Sequence, residues 1–441
     1  MKILIVSWYF PPVNTIGAVR VGKFARFLLE QGHDLGVVAG KRWGHSETLP
    51  LGVDLDRVAY ADWFDVNAPL KYLQRALKSL RRKSSATAPP AAATVEREPV
   101  ESPPPRRGLM QRASDAYFYL VNLPDDRIGW LPQAYRSGRR LCRDWQPDLI
   151  FGSGPPFTAL LACCRLSHRL GVPWVAELRD RWADDPYGEP PPWRAALEEW
   201  LERRVLNTAT ALVTVTEPWA EFYRHKYAKP VATIYNGYDP LDFPADSTRM
   251  DVPVNEHLVI GYTGGIYPGK RDPTPLFNAL RILGPAGQRI RVVFCGTDPN
   301  HVNPLAERAG VSQLVEVRAS IPYKESLDFQ QRSDVLLLMQ WNNPREQGNC
   351  PGKFFEYIGS LRPILVLGLE NGVPATIVRE RSAGFFSNDP LTIAEQLRKW
   401  LAEKEKFGCV PAVPATAREG LSRAIQYEKL ETFLSTIVPQ T

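Results

Sequence analysis

Short apolar runs alternate along the chain with stretches in which apolar residues recur every three or four positions. The runs end at Gly, Pro or charged residues, which is typical of buried strands in a parallel sheet. In the first half they are KILIVSW, HDLGVVAG, DLIFGSG, PWVAELRD, ALVTVT and VATIYNG. In the second half they are HLVIGYTGG, IRVVFCG, LVEVRAS, DVLLLMQ and RPILVLG. Helical patterns such as residues 20–31 separate the runs, so the sequence predicts an α/β protein with parallel sheets.

The alternation stops at residues 236–255, where NGYDPLDFPADSTRMDVPVN is rich in Pro and Asp and lacks periodicity. Such composition is typical of a linker. We therefore predict two doubly wound, Rossmann-like domains: an N-terminal one over residues 1–236, a linker over 237–257 and a C-terminal one over 258–412. A C-terminal helix within 413–441 is expected to pack back on the first domain.

Residues 68–107 interrupt the first predicted domain. The run 84–107 consists mainly of Ala, Pro, Ser and charged residues, which cannot bury enough surface to offset their ordering entropy, so it predicts a disordered insertion. Just before it, APLKYLQRALKSLRRK over 68–83 places leucines on one helical face and basic residues largely elsewhere. This basic amphipathic helix fits either an anionic bilayer surface or a core contact. The sequence leaves both open.

Composition narrows the class of protein. The 441 residues, 44% hydrophobic and 23% charged, suffice for two sizeable cores. A formal charge of +6 suits an anionic small ligand or a membrane surface but is too small for nucleic-acid binding. No signal sequence or spanning helix is recognisable, so we expect a cytoplasmic protein, with peripheral contact at the inner face of the cytoplasmic membrane as an option. The six cysteines lack CxxC spacing, so we predict no zinc site or disulfide framework.

Ligands of open parallel sheets bind beyond the carboxyl ends of the strands. After the first strand, Gly17 opens a helix, where a residue without Cβ lets backbone N–H groups approach a phosphate; a plain turn glycine is the alternative. After PWVAEL comes the charged sequence Arg179-Asp180-Arg181-Trp182. Because buried unpaired charge is costly, we favour a ligand-binding role for this sequence over a structural one.

The second half repeats this arrangement. In YTGGIYPGK, Gly264 and Gly265 turn the chain outward after a strand, and Lys270 is placed to meet an anion. In VRASIPYKE, an irregular step around Ile321 can offer backbone groups to a nucleobase. These two segments predict contacts to a phosphate and to a base.

The segment NCPGKFFEYIGSLRPILVLG sets Lys353 three residues before Glu356, just after Pro351 and Gly352. One interpretation is an i, i+3 ion pair on a solvated helix face, worth about 0.2 to 0.5 kcal/mol. The other is a ligand site, because a helix N-terminus and a lysine attract a diphosphate, whereas a carboxylate can accept two hydrogen bonds from a vicinal diol. A diphosphate and a diol together describe a nucleotide-sugar.

In their order and spacing, these motifs resemble bacterial retaining glycosyltransferases of family 4, in a polysaccharide-assembling subgroup. The matching stretches of the first half are WYFPPVNTIGAVR, PWVAELRDRW, LEEWLERRVLNTATALVTVTEPWAEFYRHKY and IYNGYD. Those of the second half are GYTGGIYPGK, VVFCGTDP, SDVLLLM and PGKFFEYIGSLRPIL. The resemblance covers nearly the whole chain apart from residues 69–130. It implies the α/β GT-B fold, two facing Rossmann-like domains with a cleft between them.

The resemblance also implies roles for single residues. Glu356 would bind the donor ribose and Lys270 the diphosphate, which Gly17 would approach from the first domain. Arg179 and Asp180 would line the acceptor side. The implied catalytic residues are Asp180, Arg179 and Lys270, the donor site further includes Gly264, Gly265, Ile321 and Lys353, and the candidate sugar contacts are Glu346 and Gly352.

Three departures from the family pattern bear on these roles. Gly265 occupies the place of the family's usual arginine, so Lys353 or Arg271 would supply the missing charge. The first glutamate of the family's E-x7-E pattern falls on Gly348, and Glu346 lies two residues earlier. The usual histidine of the catalytic region is missing.

The implied reaction moves a hexose from a nucleotide diphosphate sugar to a glycan or lipid-linked acceptor. Negative charge grows on the leaving diphosphate, and Lys270 with helix N-termini would stabilise it, so neither a metal nor another cofactor is expected. Asp54-Leu55-Asp56 matches the sequence pattern of a metal-binding Asp-x-Asp motif. No apolar strand leads into it, however, so a surface turn is the better interpretation.

Two other functions stay open on the sequence. A nucleotide-sugar epimerase of the same fold would act on the donor without an acceptor. A catalytically silent donor-binding or membrane-docking subunit would bind the nucleotide-sugar without turnover. Release of free nucleotide only in the presence of an acceptor distinguishes the transferase from both.

Deletion of residues 84–107 is expected to leave the melting temperature unchanged, because a segment of this composition adds no core. Thermal unfolding of the deletion variant beside the full chain, followed by circular dichroism, measures this. A large drop in melting temperature would show that the segment packs.

Overall fold

The computed structural model describes residues 1–41, 47–50, 55–72, 109–243 and 257–438. The 84–107 insertion, most of the 237–257 linker and Asp54 of the Asp-x-Asp triplet lie outside the described residues. Of the amphipathic segment 68–83, only residues 68–72 are described, and they are helical.

The first sheet among the described residues has seven strands in the order β3-β2-β1-β4-β5-β6-β7. Its strands are β1 (Lys2–Ser7), β2 (Asp34–Gly40), β3 (Val58–Ala61), β4 (Leu149–Gly154), β5 (Trp174–Leu178), β6 (Ala211–Thr214) and β7 (Val231–Thr233). The helices of this half are α1 (Ile16–Glu30), α2 (Leu109–Val121), α3 (Leu131–Leu141), α4 (Thr158–Leu170), α5 (Pro192–Leu206) and α6 (Glu217–Tyr227), with 3-10 turns at Ile128–Trp130 and Pro240–Asp242.

The second sheet, within the part of the chain that the structure describes, has six strands in the order β10-β9-β8-β11-β12-β13. Its strands are β8 (Leu258–Thr263), β9 (Ile290–Cys295), β10 (Val315–Arg318), β11 (Val335–Met339), β12 (Ile364–Leu367) and β13 (Gly384–Phe386). The helices are α7 (Thr274–Leu283), α8 (Pro299–Ala309), α9 (Tyr323–Arg332), α10 (Gly352–Ser360), α11 (Val373–Glu380), α12 (Pro390–Phe407) and α13 (Arg423–Ser435), with 3-10 turns at Gly284–Arg289, Ser312–Leu314, Pro344–Glu346 and Ala415–Arg418.

The apolar runs of the sequence are the central strands of these sheets. β1 pairs in parallel with β2 and β4, and β8 pairs in parallel with β9 and β11. Nearly every residue of β1, β2 and β4 is buried, as expected for strands covered on both faces. The predicted α/β fold with two parallel sheets is confirmed.

The chain divides into two compact units, Met1–Leu212 with Ile437–Thr441, and Val213–Thr436. The predicted boundaries at 236 and 258 stay predictions, as does the packing of the C-terminal helix. Within the described ranges, no helix combines the length and the apolar character that crossing a bilayer requires.

The second unit contains a buried ion pair beside its sheet. Lys404 Nζ on α12 lies 2.6 Å from Asp334 Oδ2, and both side chains are at least nine-tenths buried. The same carboxylate oxygen accepts a hydrogen bond from the Val259 backbone N–H at 2.8 Å. The pair therefore joins α12 to the starts of β8 and β11.

Replacing Lys404 with Met is expected to cost about 3 to 5 kcal/mol of unfolding free energy, because Asp334 would stay buried without its counter-ion. Lys406→Met, at an exposed position on the same helix, is the matched control and should change stability by less than about 0.5 kcal/mol. Urea unfolding of both variants measures the difference. Equal effects of the two substitutions would contradict a structural role for the pair.

Candidate functional site

The carboxyl end of β8 turns sharply at two glycines. Gly264 has a φ of +102°, in the left-handed region that residues with side chains rarely adopt. Its N–H donates to the Cys295 carbonyl oxygen at 2.8 Å. The Tyr262 hydroxyl donates to the carbonyl oxygen of Gly265 at 2.9 Å, and Gly265 itself is exposed. Neighbouring groups therefore fix the turn and leave its second glycine open to solvent.

Lys353 reaches this turn from the first turn of α10. Its Nζ donates to the Thr263 carbonyl oxygen at 2.5 Å and lies 3.8 Å from the centroid of the Tyr262 ring. A Cβ on Gly264 would lie only 3.2 Å from this Nζ, so the glycine leaves room for the ammonium. Burial, and after it the charge of Arg271, lower the pKa of Lys353 well below its ordinary value, although Glu356 opposes the shift. The structure thus brings two predicted site residues together.

Glu356 lies one helical turn after Lys353 on α10. Its Oε2 accepts a hydrogen bond from Gln330 Nε2 at 3.0 Å. Burial raises the pKa of Glu356 above its ordinary value; Gln330 and then Arg423 oppose this shift, and Asp242 adds to it. Both α10 residues are half-buried, and no ion pair among the described residues joins them. The two charges favour each other electrostatically, but the half-buried residues do not match an ion pair on a solvated helix face.

Lys270 lies on the same loop as the two glycines. Its Nζ is 4.8 Å from the centroid of the Trp341 ring, which follows β11. Arg271 donates from Nη1 to the Gly265 carbonyl oxygen at 3.2 Å and stacks 4.5 Å from the Tyr267 ring. Three cationic residues therefore contact or follow the carboxyl end of β8: Lys270, Arg271 and Lys353.

The remaining predicted donor residues also follow strands of the second sheet. Ile321 is half-buried in the loop between β10 and α9, and Gly352 is the first residue of α10. Glu346 ends a 3-10 turn after β11, is 1% exposed and accepts a hydrogen bond from Asn349 Nδ2 at 2.9 Å. The roles of these three residues stay predictions.

Gly348 has no room for the family's first glutamate. Its φ is +85°, and a Cβ there would come within 2.2 Å of the Trp219 ring. Trp219 is fixed in turn, because its Nε1 donates to the Gln347 carbonyl oxygen at 3.0 Å. Steric exclusion and backbone conformation therefore explain this departure from the family pattern.

In the first unit, Gly17 and Arg179 come together at the N-terminus of α1. The guanidinium of Arg179 donates to the carbonyl oxygens of Gly154, at 3.2 Å, and Pro155. A Cβ on Gly17 would lie 2.4 Å from Arg179 Nη1. Burial lowers the pKa of Arg179 below its ordinary value, although Glu177 and Asp180 oppose the shift. The glycine predicted to admit a phosphate thus also admits a guanidinium.

Beside Arg179 lies a buried polar cluster that the sequence reasoning missed. Arg20 Nη2 lies 2.8 Å from Glu177 Oε1, and Ser153 donates to Glu177 Oε2 at 2.5 Å. Glu177 is a charged residue inside the apolar run PWVAEL, and its position there could have indicated a buried polar cluster. Asp180, at the end of the same segment, is exposed. Gln330 was missed as well. No local pattern indicates its hydrogen bond to Glu356, because the two residues are 26 positions apart in the sequence.

The described residues include one acidic cluster with the spacing of a metal site. Carboxylate oxygens of Asp184, Glu199 and Glu202 lie within 4.8 Å of one another. Asp184 lies 3.7 Å from Arg181, Glu199 lies 2.5 Å from Arg203, and Glu202 accepts a backbone N–H at 2.8 Å. These partners account for the cluster as part of the first unit's structure.

Comparisons with known proteins concern one segment of the chain and the fold as a whole. Residues 97–240 match the model of Glycosyltransferase Family 4. A structure of HepE from Anabaena in complex with UDP and glucose is 13% identical, with a TM-score of 0.58, and the match covers 99% of this chain and 100% of that one. No curated protein matches the sequence.

Two further solved structures have the same architecture. Sucrose-phosphate synthase from Thermosynechococcus elongatus is 13% identical, with a TM-score of 0.61 and 99% of both chains covered. WaaG, a glycosyltransferase involved in lipopolysaccharide biosynthesis, is 14% identical, with a TM-score of 0.53, and the match covers 99% of this chain and all of that one. The resemblance to glycosyltransferase family 4 is confirmed: residues 97–240 match that family's model, and the chain has the GT-B fold.

Proposed function

We propose that the protein is a retaining glycosyltransferase that moves a hexose from a nucleotide diphosphate sugar to a glycan or lipid-linked acceptor in cell-surface polysaccharide synthesis. The observation that carries this proposal is on α10, where the Lys353 ammonium lies beside the Gly264 turn and the Glu356 carboxylate follows one turn later. The complexes of HepE with UDP and with UDP-glucose support a nucleotide-sugar donor. The role of WaaG in lipopolysaccharide biosynthesis supports the proposed pathway class.

The diphosphate of the donor binds at the carboxyl end of β8. Lys353 supplies a positive charge next to Gly264, and Lys270 supplies another from the same loop. Backbone N–H groups at Gly265 and at Gly352, the start of α10, add donors that favour an anion. Lys353 or Arg271 replaces the charge of the family's missing arginine.

The nucleoside and the sugar occupy the neighbouring loops. Glu356 accepts hydrogen bonds from the ribose diol, and Gln330 holds one of its oxygens in place. The loop at Ile321 offers backbone groups to the base. Glu346 and Gly352 lie on the segment that follows β11 and contact the transferred hexose.

The reaction breaks the bond between the sugar and the diphosphate. Negative charge grows on the departing diphosphate oxygen, and Lys270 and Lys353 stabilise it in a site already oriented for it. These cations supply the charge that the step needs, so the proposal includes no metal or other cofactor. In the first unit, Arg179 and Asp180 serve the acceptor.

A panel of nucleotide-sugars screened by thermal shift identifies the donor, because a ligand in excess of its dissociation constant raises the melting temperature. Incubating the identified donor with and without candidate glycan and lipid-linked acceptors then tests transfer. Nucleotide released only with acceptor supports the transferase. An altered sugar without acceptor would indicate an epimerase, and binding without any product a silent donor-binding subunit.

Glu356→Gln is expected to weaken donor binding about ten- to a hundred-and-fifty-fold, since hydrogen bonds to charged groups contribute about 1.5 to 3 kcal/mol. Titration of variant and parent with the identified nucleotide-sugar measures this. Glu325→Gln, at an exposed position on α9, is the control and should bind like the parent. Unchanged affinity in Glu356→Gln would rule out the ribose contact.

Although Glu356→Gln should weaken donor binding, it should not lower the stability of the folded protein. Because burial raises the folded-state pKa of Glu356, ionisation destabilises the folded protein as the pH rises through that pKa. Near neutral pH, Glu356→Gln should therefore melt at the same temperature as the parent or higher.

Donor affinity of the parent should fall as the pH is lowered toward the raised pKa of Glu356, and the glutamine variant should lack that fall.

Lys353→Met is expected to weaken binding of the nucleoside diphosphate by a similar factor, roughly ten- to a hundred-and-fifty-fold, but to spare binding of the corresponding nucleoside. The reason is that Lys353 meets only the diphosphate, whereas Glu356 meets the ribose present in both ligands. Calorimetric titration with the two ligands separates the effects, and Lys324→Met, exposed on α9, is the control. Equal losses for both ligands would show general damage to the site.

A further inference from the structure

Helix α5 arranges its charged and aromatic residues in the opposite way to an ordinary surface helix. Its buried residues include Arg194 and Glu202, whereas Trp193 and Trp200 are 45% and 54% exposed. Seven residues make two helical turns, so the two indole rings lie on one face. An exposed face with two tryptophans indicates a partner that is apolar or interfacial.

The buried charges hold the helix in this orientation. Arg194 Nη2 donates to the Asn122 carbonyl oxygen at 2.8 Å and the guanidinium pairs with Glu198. Glu202 accepts a hydrogen bond from the Ala183 backbone N–H at 2.8 Å. Turning the tryptophans inward would leave these charges without partners, which is strongly unfavourable. The outward position of the rings is therefore built into the first unit.

Helix α2 extends this face with further rings. The Tyr119 ring lies 6.2 Å from that of Trp193, edge to face, and 6.1 Å from that of Phe118. Phe118 is itself 49% exposed. We call these four residues, Phe118, Tyr119, Trp193 and Trp200, the ring surface; all belong to the first unit.

Positive charge accompanies the ring surface. Arg204 is exposed, lies one turn beyond Trp200, and places its guanidinium carbon 5.7 Å from that ring. The sequence of residues 73–108, which joins the described helix at 68–72 to α2, contains eight Lys or Arg and three Asp or Glu. An anionic surface attracts both this basic sequence and Arg204.

We propose that the ring surface docks the protein on an anionic lipid bilayer. Tryptophan and tyrosine favour the boundary between head groups and acyl chains, and Arg204 adds attraction to anionic lipid. This docking does not depend on the donor chemistry proposed above, and it would bring the first unit to the surface that holds a lipid-linked acceptor.

Cosedimentation of the full chain with vesicles tests the docking. Vesicles of phosphatidylcholine with phosphatidylglycerol should bind the parent more tightly than phosphatidylcholine alone. The double variant Trp193→Ser, Trp200→Ser should bind the mixed vesicles at least about tenfold more weakly. Arg204→Gln should lose about fivefold at low salt, and that loss should shrink at high salt because the attraction is screened.

Phe407→Ser is the matched control. Phe407 is 57% exposed, and Lys406 Nζ lies 4.9 Å from its ring, so it is the same kind of ring and cation pair on α12 of the second unit. Its vesicle binding should equal that of the parent. Melting temperatures and donor-induced thermal shifts of all variants should also match the parent, which would show that the fold is intact.

Equal vesicle binding by the tryptophan double variant and the parent would overturn the proposal, as would absence of binding by the parent. A loss confined to a variant with Lys78, Arg81 and Arg82 replaced by glutamine would assign docking to residues 68–83 instead. A parent dimer that the double variant converts to a monomer, at unchanged vesicle binding, would assign the ring surface to a second copy of the chain.

Discussion

The candidate donor site depends on one half-buried ammonium that forms no ion pair among the described residues, although the Glu356 charge one helical turn later opposes the fall of its pKa. Lys353 has as its contacts a carbonyl oxygen and a ring face, both from the end of β8. Burial disfavours the charged form of such a cation and lowers the pKa of Lys353. An anion would remove that penalty, so the chain keeps a charge here that does not serve stability. Perturbed charges of this kind are typical of binding sites.

The two units accommodate their cations by the same device. In the first, Gly17 makes room for the guanidinium of Arg179; in the second, Gly264 makes room for the ammonium of Lys353. In each case the glycine follows the first strand of its sheet in chain order, and the cation comes from a later segment. The absence of a Cβ at each glycine therefore lets a positive group from a later segment approach the turn.

The sequence predicted the parts of this structure that depend on local pattern. Long apolar runs became the central strands, and the short edge strands β7 and β10 lie within the predicted runs VATIYNG and LVEVRAS, whereas the edge strands β3 and β13 were not predicted. The spacing of Lys353 and Glu356 placed both on one helix. It could not supply their partners, since Thr263 lies 90 residues from Lys353 and Gln330 lies 26 from Glu356. Only the packing of β8, α9 and α10 brings these groups together.

The pKa of Lys353 is lowered and that of Glu356 is raised, and this combination bears on the kind of ligand that the site would bind. Burial favours the neutral form of Lys353 and the neutral form of Glu356, so the folded protein resists both charges without a ligand. An anion beside Lys353 and hydroxyl donors beside Glu356 would restore both charged forms. Inorganic diphosphate would satisfy the lysine alone, and a nucleoside the carboxylate alone. A nucleotide diphosphate carries both groups on one molecule, so it gains from both changes at once, and this is the physical reason to expect the site to prefer it over either fragment.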